Sequence, residues 1–175
     1  MIFLFLLVLL ILPFMLPGRH GEVQASREDL RLLSGAARQA AKGDTATALQ
    51  VVERLLSQPG RNEAKAMALY LKGVLEFGRG ATGIAEAALR DLLIQYPGSS
   101  QAGPALAQLG MYYYRIGEDT TAVSYLQQVA VEFADSSFIQ PALMSLARAA
   151  ERGKFPGKAI EAYLQYLAGS RTGHI

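Results

Sequence analysis

The chain has 175 residues, 51% hydrophobic and 18% charged, and its 17 Lys+Arg against 15 Asp+Glu leave a net charge of +2. That length supports a core of ordinary domain size, and so small a net charge does not argue for nucleic acid as a partner. With no cysteine, and with only His20 and His174 near opposite ends, the sequence offers no disulfide framework, thiolate or histidine metal site, or catalytic triad, and no cofactor is expected.

Met1 to Pro17 contains no polar residue. It lies near the lower limit of the roughly 17–25 residues that span a bilayer, and is a little long for a signal-peptide core. Pro13 and Pro17-Gly18 weaken and then end a helix there. A buried core helix is excluded, because the segment has no polar face for solvent. Val23-Gln24-Ala25 before Ser26 places small residues as a signal peptidase requires, which makes Ala25 the candidate cleavage point. Arg19, Arg27 and Arg31 follow the apolar run and no basic residue precedes it. If the segment stays in the membrane, that bias favours a cytoplasmic-facing domain; if it is cleaved, the domain is exported. The reading adopted is a signal peptide or transmembrane anchor over residues 1–25, a helical repeat domain over 26–175, and a location in the cell envelope.

The repeat is read from register. Ala48, Ala85, Ala122 and Ala159 are each separated by 37 residues. Gly43, Gly80 and Gly117 share that step, and Gly153 falls one residue short of the next. Tyr96-Pro97-Gly98-Ser99-Ser100 recurs as Phe133-Ala134-Asp135-Ser136-Ser137, and Pro104-Ala105-Leu106 as Pro141-Ala142-Leu143. Four such periods nearly fill the chain after Ala25.

Each period holds two helical patterns. The second is the clearer: Ala85, Ala88, Leu89, Leu92 and Leu93 form one apolar stripe, repeated from Ala48, Ala122 and Ala159. In the first helix of the third period Leu106, Leu109, Gly110 and Tyr113 fit a stripe. In the second period Lys72 and Glu76 replace Leu109 and Tyr113, so that helix is expected to present a different or wetter face. The glycines fall where a helix must reverse. Ser137 to Gln140 has capping-box spacing, and Pro104, Pro141 and Pro156 stand where a helix start tolerates them. Strand alternation is absent. The alanines in register predict close helix crossings, where a larger residue would cost roughly 1–3 kcal/mol. Pairs of helices that cannot bury both faces alone stack into an array with a continuous core. The expected fold is therefore all-α, a solenoid of about four helix–turn–helix repeats behind an N-terminal hydrophobic helix.

These positions resemble the tetratricopeptide repeat family. Gly73, Gly80, Ala85 and Tyr96-Pro97 match the family's small residue in the first helix, turn glycine, second-helix alanine and aromatic-Pro ending; Gly110, Gly117, Ala122 and Phe133 match again. The 37-residue step and the Tyr-Pro-Gly-Ser-Ser ending look like bacterial envelope members, such as the outer-membrane-assembly lipoprotein and the Tol–Pal-associated periplasmic protein. The resemblance implies a protein or peptide partner held in a concave groove lined by the first helices. Carried onto this sequence, the groove positions are Tyr70, Val74 and Phe77, then Met111, Tyr114 and Arg115, then Met144, Arg148 and Arg152. Aromatic, Met and Arg side chains are those that binding surfaces enrich, although Tyr70, Phe77 and Met111 are equally readable as core. The run Tyr112-Tyr113-Tyr114 points three ways around a helix.

Catalytic constellations are missing. Gly78 to Gly83 is a literal G-x-G-x-x-G, but a helical pattern precedes it where a phosphate loop needs a strand, so it reads as an inter-helix turn. Glu151, Glu161 and Asp91 read as solvated faces. The function expected is a non-enzymatic protein-interaction scaffold of the cell envelope, attached to the membrane through its N-terminal segment and without nucleic acid. The alternative is a self-associating structural module whose docking end lies after Leu167.

Overall fold

A computed structural model describes residues 19–59 and 63–172. Among these residues there are eight helices and no strand: α1 (Arg19–Ala41), α2 (Thr45–Leu56), α3 (Glu63–Gly78), α4 (Thr82–Gln95), α5 (Ala102–Ile116), α6 (Asp119–Glu132), α7 (Ile139–Arg152) and α8 (Pro156–Thr172). The apolar segment 1–17 lies outside the described residues. Ala25, the candidate cleavage point, falls within the backbone of α1. No helix among the described residues is long and apolar enough to cross a membrane.

Consecutive helices pair as α1/α2, α3/α4, α5/α6 and α7/α8, and each pair packs on the next. The second helices begin at Thr45, Thr82, Asp119 and Pro156, each 37 residues after the last. The registered alanine is the fourth residue of each. Its amide donates to the carbonyl of the residue before the helix: Asp44 for Ala48, Ala81 for Ala85, Glu118 for Ala122 and Phe155 for Ala159. The four are 0, 0, 0 and 4% exposed. One backbone bond and one degree of burial recur four times, as a single packing environment requires.

The crossing itself is set by the first helix. A Cβ on Gly73 would lie 2.6 Å from the Leu89 side chain, and one on Gly110 would lie 2.5 Å from Leu126 Cγ. The registered alanine contributes its backbone, since the Ala85 carbonyl oxygen stands 3.3 Å from that same point on Gly73. Ala36 and Ala147 hold the equivalent places in α1 and α7 and are 1 and 0% exposed. In the two middle hairpins the glycine thus sits opposite a fully buried Leu on the second helix.

Gly43, Gly80 and Gly117 turn the hairpins with φ of +96, +79 and +87°. The amide after each donates to a carbonyl five residues back, closing the helix end. The fourth turn is built differently, as the off-register Gly153 allows. Lys154, not Gly153, holds the left-handed position at φ +62°, and Phe155 N–H donates to Ala150 at 2.7 Å. Gly153 has an ordinary φ of −76° and is small because the Phe155 ring lies 2.9 Å from where its Cβ would be. Gly78 to Gly83 spans the end of α3, a turn and the start of α4, so the G-x-G-x-x-G lies between helices.

The links between hairpins also repeat. Tyr96 and Phe133 donate to Leu92 and Val129 at 2.8 and 2.9 Å, and Ser99 and Ser136 then donate back to Tyr96 and Phe133. The capping box expected at Ser137 does not form. Phe138 is the N-cap of α7 and no side chain caps it; its ring packs 6.2 Å from that of Phe133, over Gly103. Aromatic packing fixes this entry in place of a hydroxyl. Two clusters of buried side chains result: a large one from Leu69 to Ala162, and a smaller one of Leu33, Val52, Leu55, Ala64 and Ala68.

Candidate functional site

The family-derived positions lie on α3, α5 and α7. Tyr70 and Phe77 on α3, Met111 and Tyr114 on α5, and Met144 on α7 are half-buried, whereas Arg115 and Arg148 are exposed. Tyr70, Phe77, Met111 and Tyr114 rest against the large core cluster with part of each side chain still in solvent. They are therefore both packing and surface. They stand on three successive first helices, with α5 between α3 and α7.

The tyrosine run does point three ways. Tyr112 meets Phe77 at 4.8 Å between ring centres, tilted by 38°, which joins α3 to α5. Tyr113 turns into the core, 8% exposed, and stacks on Tyr125 at 5.7 Å. Its hydroxyl donates to Glu86 at 2.5 Å and accepts from Arg90 at 2.8 Å, both on α4. Burial, and then the hydrogen bond to Glu86, raise the Tyr113 pKa above that of a free tyrosine, against the opposing pull of Arg90. This lock between hairpins was not read from the sequence. The visible signal was Glu86 and Arg90 one turn apart on a helix whose Val123 counterpart is apolar.

Tyr114 points to α7. The Arg152 guanidinium lies 4.6 Å from its ring centre and also donates to the Tyr114 carbonyl. The same guanidinium engages Asp119 through Nε, at 2.8 and 2.7 Å from the two carboxylate oxygens. Arg152 is accordingly a tie between hairpins and leaves the list of free groove cations. Glu151 accepts from the Tyr163 hydroxyl at 2.9 Å and so has a partner within the fold. That bond raises the Tyr163 pKa, burial adds to it, and the nearby Arg148 charge opposes it. Arg115 and Arg148 form no ion pair among the described residues.

Lys72 and Glu76 keep the face that Leu109 and Tyr113 keep in the next repeat. Lys72 Nζ pairs with Glu53 Oε1 of α2 at 2.7 Å, and Glu76, 7% exposed, lies 3.4 Å from Arg79. The helix does not rotate: α2 supplies the partner of Lys72, and Arg79, just past the end of α3, that of Glu76. No group of three or more His, Cys, Asp or Glu able to hold a metal occurs among the described residues.

Residues 105–136, from the first turns of α5 into the loop after α6, match the tetratricopeptide repeat. They form one such repeat. The other three hairpins share its turn, its registered alanine and its small-residue crossing. Two crystal structures of MamA superpose on the chain. One gives a TM-score of 0.66 at 17% identity over 83% of this chain and 80% of that one. The other gives 0.63 at 18% over 80% and 72%. At that identity the likeness defines the fold, an α-solenoid of the tetratricopeptide type. No curated protein sequence matches the chain.

Proposed function

We propose that this chain is a non-enzymatic scaffold that holds a protein or peptide partner along the surface of its first helices, at the cell envelope. One observation carries the reading. On α5 and α7 the half-buried Met111, Tyr114 and Met144 lie beside two guanidiniums, Arg115 and Arg148, that have no ion pair among the described residues. Met adapts to a partner's shape, the aromatic ring offers area at little entropic cost, and Arg can hold a carboxylate by two hydrogen bonds. The envelope location rests on the apolar residues 1–17 and the small residues before Ser26, and a part in envelope assembly rests on the family resemblance.

Recovery of partners from the native membrane fraction by the wild-type chain and by Tyr114→Ala plus Arg148→Ala tests the surface. The double variant is expected to lose the partner while keeping its helical circular dichroism; unchanged recovery removes this surface as the site. N-terminal sequencing of the protein from its membrane fraction tests the location. A start at Ser26 marks export with cleavage, and an intact Met1 marks an anchor.

A further inference from the structure

The two ends of the array carry the two halves of an interface that the chain already uses internally. Leu69, Leu106 and Leu143 are 8, 4 and 3% exposed, but Leu32, one step earlier in register, is 50% exposed. Leu32 stands on a face of α1 that no described element covers. At the other end Leu49 and Val123 are 7 and 2% exposed and the half-buried Glu86 holds the step between them, whereas Ile160, the same position in α8, is 61% exposed. Leu164 and Leu167 extend that face at 62 and 53%, one and two turns further along the helix. Among the described residues, half of the large exposed hydrophobic side chains therefore sit on the outer faces of α1 and α8, although neither face is needed to complete a hairpin.

We propose that a second copy of this chain covers the α8 face, stacked head to tail so that α1 of one molecule packs on α8 of another. The internal junctions supply the template. Glu53 pairs with Lys72 across the first, and Gln127 and Leu146 line one cleft across the third. The same step sets Leu164 opposite Gly35 of the next molecule. A Cβ at Gly35 would meet nothing within 4 Å, which leaves room for a leucine. Glu86 bonds Tyr113 across the second junction, and the equivalent step sets Ile160 opposite Gln39. A junction between two α8 faces has no such template and would leave Leu32 in solvent. A head-to-tail contact joins different faces and does not close on itself, so it extends to further copies.

Sedimentation velocity of the full-length chain in a mild detergent tests this, with Leu32→Glu and Leu164→Glu, both at exposed positions. The wild type is expected to grow beyond two chains as concentration rises, and each variant alone to stay at one. An equimolar mixture of the variants retains one good face of each kind, and is expected to form a two-chain species and nothing larger. A wild type that remains a single chain up to its solubility limit overturns the proposal. So does pairing of Leu32→Glu by itself, which would mean two α8 faces meeting. A mixture that stays monomeric overturns it too, as does association that survives both substitutions and hence runs through residues 1–17. Both variants keep Met111, Tyr114 and Arg148, so partner recovery on the first helices is measured separately.

Discussion

Lys154 shows what register imposes on a single residue. The turn between the paired helices demands a left-handed conformation every 37 residues, and three times a glycine fills it. In the fourth hairpin the glycine is one place early and a lysine takes the strain. A side chain in that region costs about 1–2 kcal/mol against glycine. Lys154→Gly is therefore expected to raise stability by about 1 kcal/mol, read as a higher denaturant midpoint with an unchanged slope; an unmoved midpoint would contradict the assignment. Reading turns by residue type located three of the four; at the fourth the sequence showed only that Gly153 is out of step, because there chain position outranks residue identity. Tyr113 offers a second test. Its pKa is raised in the fold, so the neutral form is favoured; the associated stability is complete below the free-tyrosine pKa of about 10 and is lost as pH climbs through the folded value. Tyr113→Phe should be less stable near neutrality by about 1 kcal/mol and decline less steeply above pH 10. An identical alkaline slope in both proteins would refute the lock with Glu86 and Arg90.

At the level of helices, the second of each pair was legible because one stripe meets one neighbour, and the period of 3.6 shows through. The first of each pair was less so, because its surface is divided between its own hairpin and the adjoining one. Lys72 and Glu76 illustrate this: they take the places of Leu109 and Tyr113 in α5, and only their partners, Glu53 for Lys72 and Arg79 for Glu76, explain the charges. The registered alanines marked the crossing, yet the tightest contact belongs to Gly73 and Gly110. Leu126 is wholly buried and has no room to yield. Gly110→Ala is expected to cost about 1–3 kcal/mol, visible in thermal unfolding, while the same change at Gly83, which has open space, should move stability by well under that. Equal effects at the two positions would mean that the crossing is looser than described. The groove positions came from the resemblance, and the structure divides them: Phe77 and Tyr114 contact neighbouring hairpins, Arg152 is a tie, and Arg115 and Arg148 have no ion pair among the described residues.

Over the whole molecule, stability follows the clusters. The large cluster runs through the second, third and fourth hairpins, whereas the first hairpin has a small one and meets α3 partly through the Lys72–Glu53 pair. In an array whose units touch only their neighbours, such a unit opens first. Amide hydrogen exchange should accordingly show lower opening free energies in α1 and α2 than in α5 and α6; uniform protection would contradict that order. The most direct test of the account removes one unit of register. Deleting residues 82–118 joins Ala81 to Asp119, places Leu126 against Gly73 as Leu89 was before, and leaves three hairpins in phase. That chain is expected to keep a helical circular dichroism spectrum and a cooperative thermal transition, whereas deletion of 82–111, out of phase, should lose both. If the two deletions behave alike, the 37-residue step is not the structural unit of this protein.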